Sequence, residues 1–313
     1  MVTFFAKRLG ILLFTMLVVS FLIFITFEFS PGDVARNVLG PFATDLQLQL
    51  YRQEHGLDRP FLVRYVEWLG NFLQGDLGYS TLYKTDVNDF IWGRIGRSLI
   101  LAGIVFAIIA PGCVIFGILA GMREGSRLDR VVSVLSMVTT SIPEFASGVF
   151  LVSIFVIWLG LLPGTSPLEA AGGWSVTSQL VLPVLVLVGF YLGYLVRMVR
   201  ASMVEVMTRP YIRTAVLKGL VYRDVILKHA VRNAMITPFT AILLQLNFLV
   251  SSVVIVEAVF AYPGFGRMML EAGLYKDVAT VEAGALFGVF FVVLTQMAGD
   301  FSYMMLNPRI RFS

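Results

Sequence analysis

The sequence predicts an all-α integral membrane protein of six transmembrane helices with both termini in the cytoplasm. Three observations carry that prediction. Of 313 residues, 58% are hydrophobic and only 14% are charged; soluble chains carry about 25% charged residues, so the deficit makes lipid the solvent. Six stretches are long and apolar enough for a helix of about 20 residues to cross about 30 Å of hydrocarbon. The basic residues gather in alternate short connections, as they do in cytoplasmic loops. The net charge of +4 therefore describes loops rather than a nucleic-acid surface, and no nucleic-acid partner is expected.

The apolar stretches fall at 9–27, 98–121, 131–161, 179–196, 235–256 and 283–298. They are continuous rather than alternating, which selects helices over the short alternating strands of a barrel. The first follows Lys7 and Arg8 but exceeds the apolar core of a signal peptide, and no small-residue cleavage site precedes Glu28, so it reads as an anchor. The third is interrupted at Ser141-Ile142-Pro143, and the second contains Pro111. Arg123, Arg127 and Arg130 lie between the second and third stretches, and eight basic residues from Arg197 to Arg232 lie between the fourth and fifth. The connection at 163–178 has no Lys or Arg, and that at 258–281 has only Arg267 and Lys276. Positive residues stay inside, so both basic loops and both ends face the cytoplasm and lipid bilayer surrounds the chain.

Three regions result: the N-terminal region with the first span (1–28), an external segment with short helices (29–97), and a five-span core (98–313) containing a cytoplasmic loop at 197–234. In the external segment, 45–55 reads as a short polar helix that Gly56-Leu57-Asp58-Arg59-Pro60 ends. Arg64, Tyr65, Trp68 and Leu69 then follow at helical spacing, suited to the membrane surface or to the bundle.

Several chemistries are excluded. No lysine follows a glycine, so no phosphate loop is present and the chain binds neither ATP nor Mg in that way. His55 and His229 lie far apart, and neither a zinc-protease motif nor a nucleophile elbow occurs. Cys113 sits in an apolar run and reads as a small packing residue. No Lys or Arg stands at a span centre, where coupled carriers hold ionisable groups. The carboxylates Glu144, Glu257 and Asp300 lie at a break or at helix ends. Each is either a substrate or coupling group or, more simply, a helix-end carboxylate with a polar neighbour. The energy source is expected outside the chain, which is not expected to be an enzyme; an independent carrier and an intramembrane hydrolase are the weaker readings.

The loop at 197–234 is too basic to enter lipid and rich in helix formers. Residues 211–218 read as a short helix with Ile212, Ala215 and Val216 near one face, and Gly219 supplies the left-handed residue that ends it. A second helical stretch follows at 223–233. Periodicity alone leaves two uses open: a rigid handle for a cytoplasmic partner, or a connector resting on anionic lipid. In the fifth span, Gln245, Asn247, Ser251 and Ser252 either line a polar pathway or serve close packing, and Pro143 frees carbonyls inside the membrane.

Resemblance favours the first use of the loop. Arg200-x-Ser202-Met203, Tyr211-x-Arg213-Thr214-Ala215-x-x-Lys218-Gly219 and His229-Ala230-Val231-Arg232-Asn233-Ala234 resemble the EAA loop of ABC-importer permeases of the dipeptide, oligopeptide and nickel family. Pro31-Gly32-Asp33, Gly75-Asp76-Leu77-Gly78, Leu128-Asp129-Arg130, the run from Val256-Glu257 to Gly266-Arg267, and Asn307-Pro308-Arg309 extend the likeness over essentially the whole chain. Arg213 stands where the general pattern has Glu, and Arg232 where it closes on proline; both look usual in the peptide subfamily. The long external segment resembles the B-type of two paralogous permeases. The resemblance implies a type I importer fold, a paralogous second permease, two cytoplasmic ABC ATPases that hold ATP and Mg, and an external solute-binding protein. It implies ATPase contact at Tyr211, Arg213, Ala215, Lys218 and Gly219, and a cargo of peptides, with nickel chelates, glutathione, haem or oligosaccharides as alternatives.

Overall fold

The computed structural model describes residues 2–28, 34–40, 42–54, 56–169 and 173–306. In chain order its helices are α1 (Val2–Glu28), α2 (Val34–Leu39), α3 (Asp45–Glu54) and α4 (Phe61–Leu73), followed by a hairpin of β1 (Tyr79–Ser80) and β2 (Thr85–Asp86). Then come α5 (Val87–Gly121), α6 (Arg127–Ser141), α7 (Glu144–Val152), α8 (Val176–Met207), α9 (Pro210–Leu217), α10 (Tyr222–Asp224), α11 (Val231–Ala234), α12 (Ile236–Val259), α13 (Phe265–Leu274) and α14 (Val278–Leu306). Single π-helical turns at Ser153–Trp158 and Val225–Ala230 extend α7 and join α10 to α11. Among the described residues four helices are long and apolar enough to cross a membrane, and α6 with α7 makes a fifth if that bent pair is one span.

The chain forms two compact units, Met1–Gly96 with Met268–Leu294, and Arg97–Arg267 with Thr295–Ser313. In the first, α3 and α4 occupy the stretches their patterns predict. α4 packs on α1 through one face. Tyr65 is buried, its hydroxyl lies 2.8 Å from Ser20 Oγ, and its ring meets Phe21 and Phe24 edge-on at 5.2 and 5.5 Å. The hairpin is tied to the start of α14 by buried Asp277, whose carboxylate accepts from Ser80 Oγ, Thr280 Oγ1 and the Thr81 N–H. Buried carboxylates need such donors, because an unpaired charge away from water is costly.

The second unit is built on α8, which packs against α6, α7 and α12. Leu182, Val186, Tyr191, Leu195 and Val199 of α8 meet Leu101, Val105, Ile109 and Cys113 of α5 and Leu249, Val253 and Val256 of α12. Cys113 is buried there as a packing residue. Gly117 and Gly121, one turn apart, let α5 touch α8 closely: a Cβ at either would stand 2.5 Å from Val199 or Met203. The helix passes through Pro111 without a break. At Pro143 the outcome differs, and α6 and α7 meet at 102°. Ile142 is extended, as the residue before a proline is driven to be, which ends α6.

At the far end of α12 the run from Val256 to Arg267 folds into a corner around Glu257, which is fully buried. Its carboxylate accepts from Ser98 Oγ and from the Gly266 and Arg267 N–H groups, at 2.7 and 3.1 Å, capping the first turn of α13. Of the two readings of Glu257, the helix-end carboxylate is the observed one. Tyr262 donates to the Arg97 carbonyl at 2.7 Å, and burial, then the Glu257 charge, pushes its hydroxyl up to about 12, so it remains a donor. Gly266 lies against α12, where a Cβ would stand 2.5 Å from Val254 Cα. Gly266→Ala must therefore shift backbone, and an expected cost of about 1–3 kcal/mol should lower the thermal unfolding midpoint of the detergent-solubilised chain. An unchanged midpoint would contradict this packing.

Candidate functional site

The loop between α8 and α12 folds as two arms. Arg209 precedes α9 as its N-cap residue, and Pro210 takes the first helical position, where a missing N–H costs nothing. The helix ends as the sequence predicts: Gly219 has φ +77°, its N–H bonds the Val216 carbonyl at 2.9 Å, and the Leu220 N–H reaches the Ala215 carbonyl at 3.4 Å. That pair of bonds is a Schellman motif. The second arm is helical from Tyr222 to Ala234 through its π turn.

Ile212 and Ala215 face inward and pack with Met203 and Val206 of α8 and with Val225, Ile226, Ala230 and Ala234 of the second arm. Two expectations are corrected here. Ala215, assigned to the ATPase contact, is buried within the chain's own small core. Val216, expected beside it, points outward and is 51% exposed, because the second arm covers α9 only on the Ile212–Ala215 side. Tyr211, Arg213, Lys218 and Gly219 remain on the exposed side. With Val216, Leu217 (80% exposed), Leu220 and Val221 they form an apolar crest flanked by two cations. Sequence reasoning missed Leu217, although its place just before the terminating Lys218-Gly219 put it at the tip.

A buried ion pair fixes the loop's root. Arg200 of α8 grips Asp129 of α6 in a two-point clamp, Nε to Oδ1 and Nη2 to Oδ2 at 2.8 Å. Asp129 also accepts from the Gly125 N–H at 2.8 Å, and Ser126 caps α6 by accepting from the Asp129 N–H. Both charged residues belong to motifs noted above, but nothing in their spacing joins them.

The proposed pathway residues divide. Pro143 sets the break between α6 and α7, and next to it Glu144 Oε1 accepts from Ser252 Oγ at 2.7 Å. Ser252 Oγ in turn lies 2.5 Å from the Tyr191 hydroxyl, giving a chain Tyr191–Ser252–Glu144 across three helices. Tyr191 was not foreseen. Gln245 is buried two turns along α12 and takes no part in the chain. The side chains of Asn247, Ser251 and Asp300 lie outside the described residues, as does the motif at 307–311. Nearer the loop, a cleft of about 580 Å³ opens between α8 and α12, lined by Tyr194, Met198, Arg232, Ile236, Thr237 and Thr240 among others.

Two family models cover nearly all of the chain: the N-terminal membrane component of binding-protein-dependent transport systems over residues 1–102, and their inner membrane component over residues 113–312. The chain belongs to this permease family. A Brucella abortus protein named as a peptide transport system permease is 35% identical over 98% of both chains. The glutathione transport system permease protein GsiC of Escherichia coli is 34% identical over the full length of each. In fold, an amino acid ABC transporter structure superposes with TM-score 0.55 at 13% identity, covering 69% of this permease and 94% of that chain. The permease is accordingly a multi-pass inner-membrane protein, and the α9 loop lies within the segment matched to the inner membrane component.

Proposed function

We propose that this permease is one of two paralogous membrane subunits of an ATP-driven importer that carries peptides inward from an external solute-binding protein. The observation that carries this reading is the apolar crest of α9: a rigid helix end, fixed through Ile212 and Ala215, that leaves Leu217 and Val216 without cover. Such a crest on a soluble loop needs a partner. In this reading two cytoplasmic ABC ATPases hold ATP and Mg, and one of them seats Tyr211, Val216, Leu217, Lys218 and Gly219 in a groove, with Arg213 at its edge. Closure of the ATPases then moves the loop and switches the cleft between α8 and α12 as a rigid body. Six spans with both termini inside follow if α6–α7 counts as one and α12 as another, and they keep the α9 loop in the cytoplasm. The names of the peptide and glutathione permease relatives support a peptide cargo. The polar chain of Tyr191, Ser252 and Glu144 beside Pro143 is the part of the proposed pathway with hydrogen-bonding groups available to a peptide backbone.

Gentle affinity purification of the tagged permease from its own membranes tests the assembly. A second permease and one or two P-loop ATPases are expected to co-purify. Recovery of the permease alone, in a detergent that preserves known importers, would replace this reading with an independent carrier.

A further inference from the structure

Within the first unit a pocket of about 420 Å³ lies between α3, α4, the hairpin and the start of α14. Tyr51, Trp68, Tyr79, Tyr275 and, from α14, Glu282 line it. Glu282 is 5% exposed, and among the described residues no hydrogen bond or ion pair reaches its carboxyl group. The neighbouring Asp277 is different, since Ser80, Thr280 and Thr81 occupy its oxygens. Lys276, also in the lining, has an interaction of its own.

A carboxyl so placed keeps its proton when alone, and its ionised form is favoured only when a cation meets it. The kind of cation follows from the walls. Calcium or magnesium takes six or more oxygen ligands, and the pocket offers one unengaged carboxylate among aromatic rings. Aromatic side chains lining a site with a single unengaged carboxyl suit an ammonium group, which can gain from ring quadrupoles as well as from the charge. The cage is firm on one side, because Trp68 is held by ring contacts to Phe24, Tyr65 and Phe72 at 5.7, 6.1 and 6.0 Å. Tyr79 and Tyr275 stand exposed at the rim.

We propose that this pocket binds a primary ammonium group, and that the group it takes is the free N-terminal ammonium of a peptide. The second part rests on the importer reading above, in which the pocket lies on the side from which cargo arrives. Its volume is enough for the first residue or two of a peptide, with the rest of the chain left outside the rim.

Calorimetric titration of the full-length permease in lipid nanodiscs, without ATPases, tests this with trialanine as probe. Saturable binding is expected, weakened about tenfold or more when trialanine is N-acetylated and by a similar factor in Glu282→Gln, since each removes one charged partner. Tyr275→Ala, which alters only the rim, should weaken binding severalfold without lowering the thermal midpoint, and it decides the matter if Glu282→Gln does not fold. Absence of saturable binding, or equal binding of the acetylated peptide, would overturn the site. Butylammonium binding as tightly as trialanine would overturn the peptide part. Because no ATPase is present, failure here is separate from failure of the co-purification.

Discussion

Gly219→Asp is expected to abolish peptide uptake while the permease stays in the inner membrane at its normal level. Two effects act at the same place. Gly219 holds φ +77°, a conformation that aspartate adopts less readily than glycine, so the terminating turn of α9 loosens somewhat. The space beside it is open, so the new carboxylate meets nothing in the permease itself and projects where a partner groove would close. A charge buried unpaired in such a groove costs several kcal/mol, enough to break a contact that must survive each ATP cycle. Gly219→Asn is the control, because asparagine tolerates the left-handed region and carries no charge. It should retain most of the uptake. Uptake assayed in vesicles, with membrane levels measured by immunoblot, checks both. Normal transport by Gly219→Asp at normal abundance would mean that force does not pass through α9.

The second large effect is expected at the Asp129–Arg200 clamp. Asp129 is 3% exposed, and its removal leaves the guanidinium of Arg200 at the root of the loop with only the more distant Glu124 carboxylate, at 3.9 Å. Breaking a buried pair from one side costs about 3–5 kcal/mol, and the lower end applies because Arg200 keeps some solvent contact. Asp129→Ala and Arg200→Ala should each lower the unfolding midpoint markedly, and the double variant should lose less than the sum of the two. Arg200→Lys should fall between, since a lysine cannot make the two-point contact with Asp129. Additive losses would show that the residues act separately. Beyond stability, the clamp joins α6 to α8 just before the loop begins, so a permease lacking it should also transport poorly at temperatures where it is still folded.

What the sequence made legible was what depends on near neighbours. The apolar runs located the long helices, Pro143 located a break, and Lys218-Gly219 located the end of α9, because period, proline and left-handed glycine act over one or two turns. The limits of α5 and α8 were not legible: α5 starts at Val87, not at 98, and α8 continues to Met207. Helices do not stop where hydrophobicity stops, and polar residues outside lipid prolong them without altering any pattern. The partners of the buried polar groups were also hidden. Asp129 and Arg200 stand 71 residues apart, and Ser252 and Glu144 stand 108 apart. Such pairs are set by which helices lie side by side, and no local spacing records that. The same blindness explains Ala215, which belongs to the loop motif and yet faces inward: a motif says that a residue is needed, not which neighbour needs it. Glu282 carried a weak signal, as an acidic residue at the start of an apolar stretch, but the aromatic walls that give it meaning come from residues 51–79 and 275.

The length of α8 has a mechanical consequence. From Pro183 to Met207 it is one unbroken helix of about 37 Å, longer than the hydrocarbon is thick, and its last turns carry Met203 and Val206 into the core of the α9 loop. Such a rod can act as a lever, with Tyr191 and Leu195 packed in the helix core near its middle and Gly117 and Gly121 bringing α5 against the turns nearer the loop. Tilting such a rod by about 10° about its middle displaces each end by about 3 Å in opposite directions. A small push at α9 would thus arrive at the other end of the same helix as a countermovement, with Tyr191 near the pivot, where its hydroxyl contact with Ser252 is disturbed least.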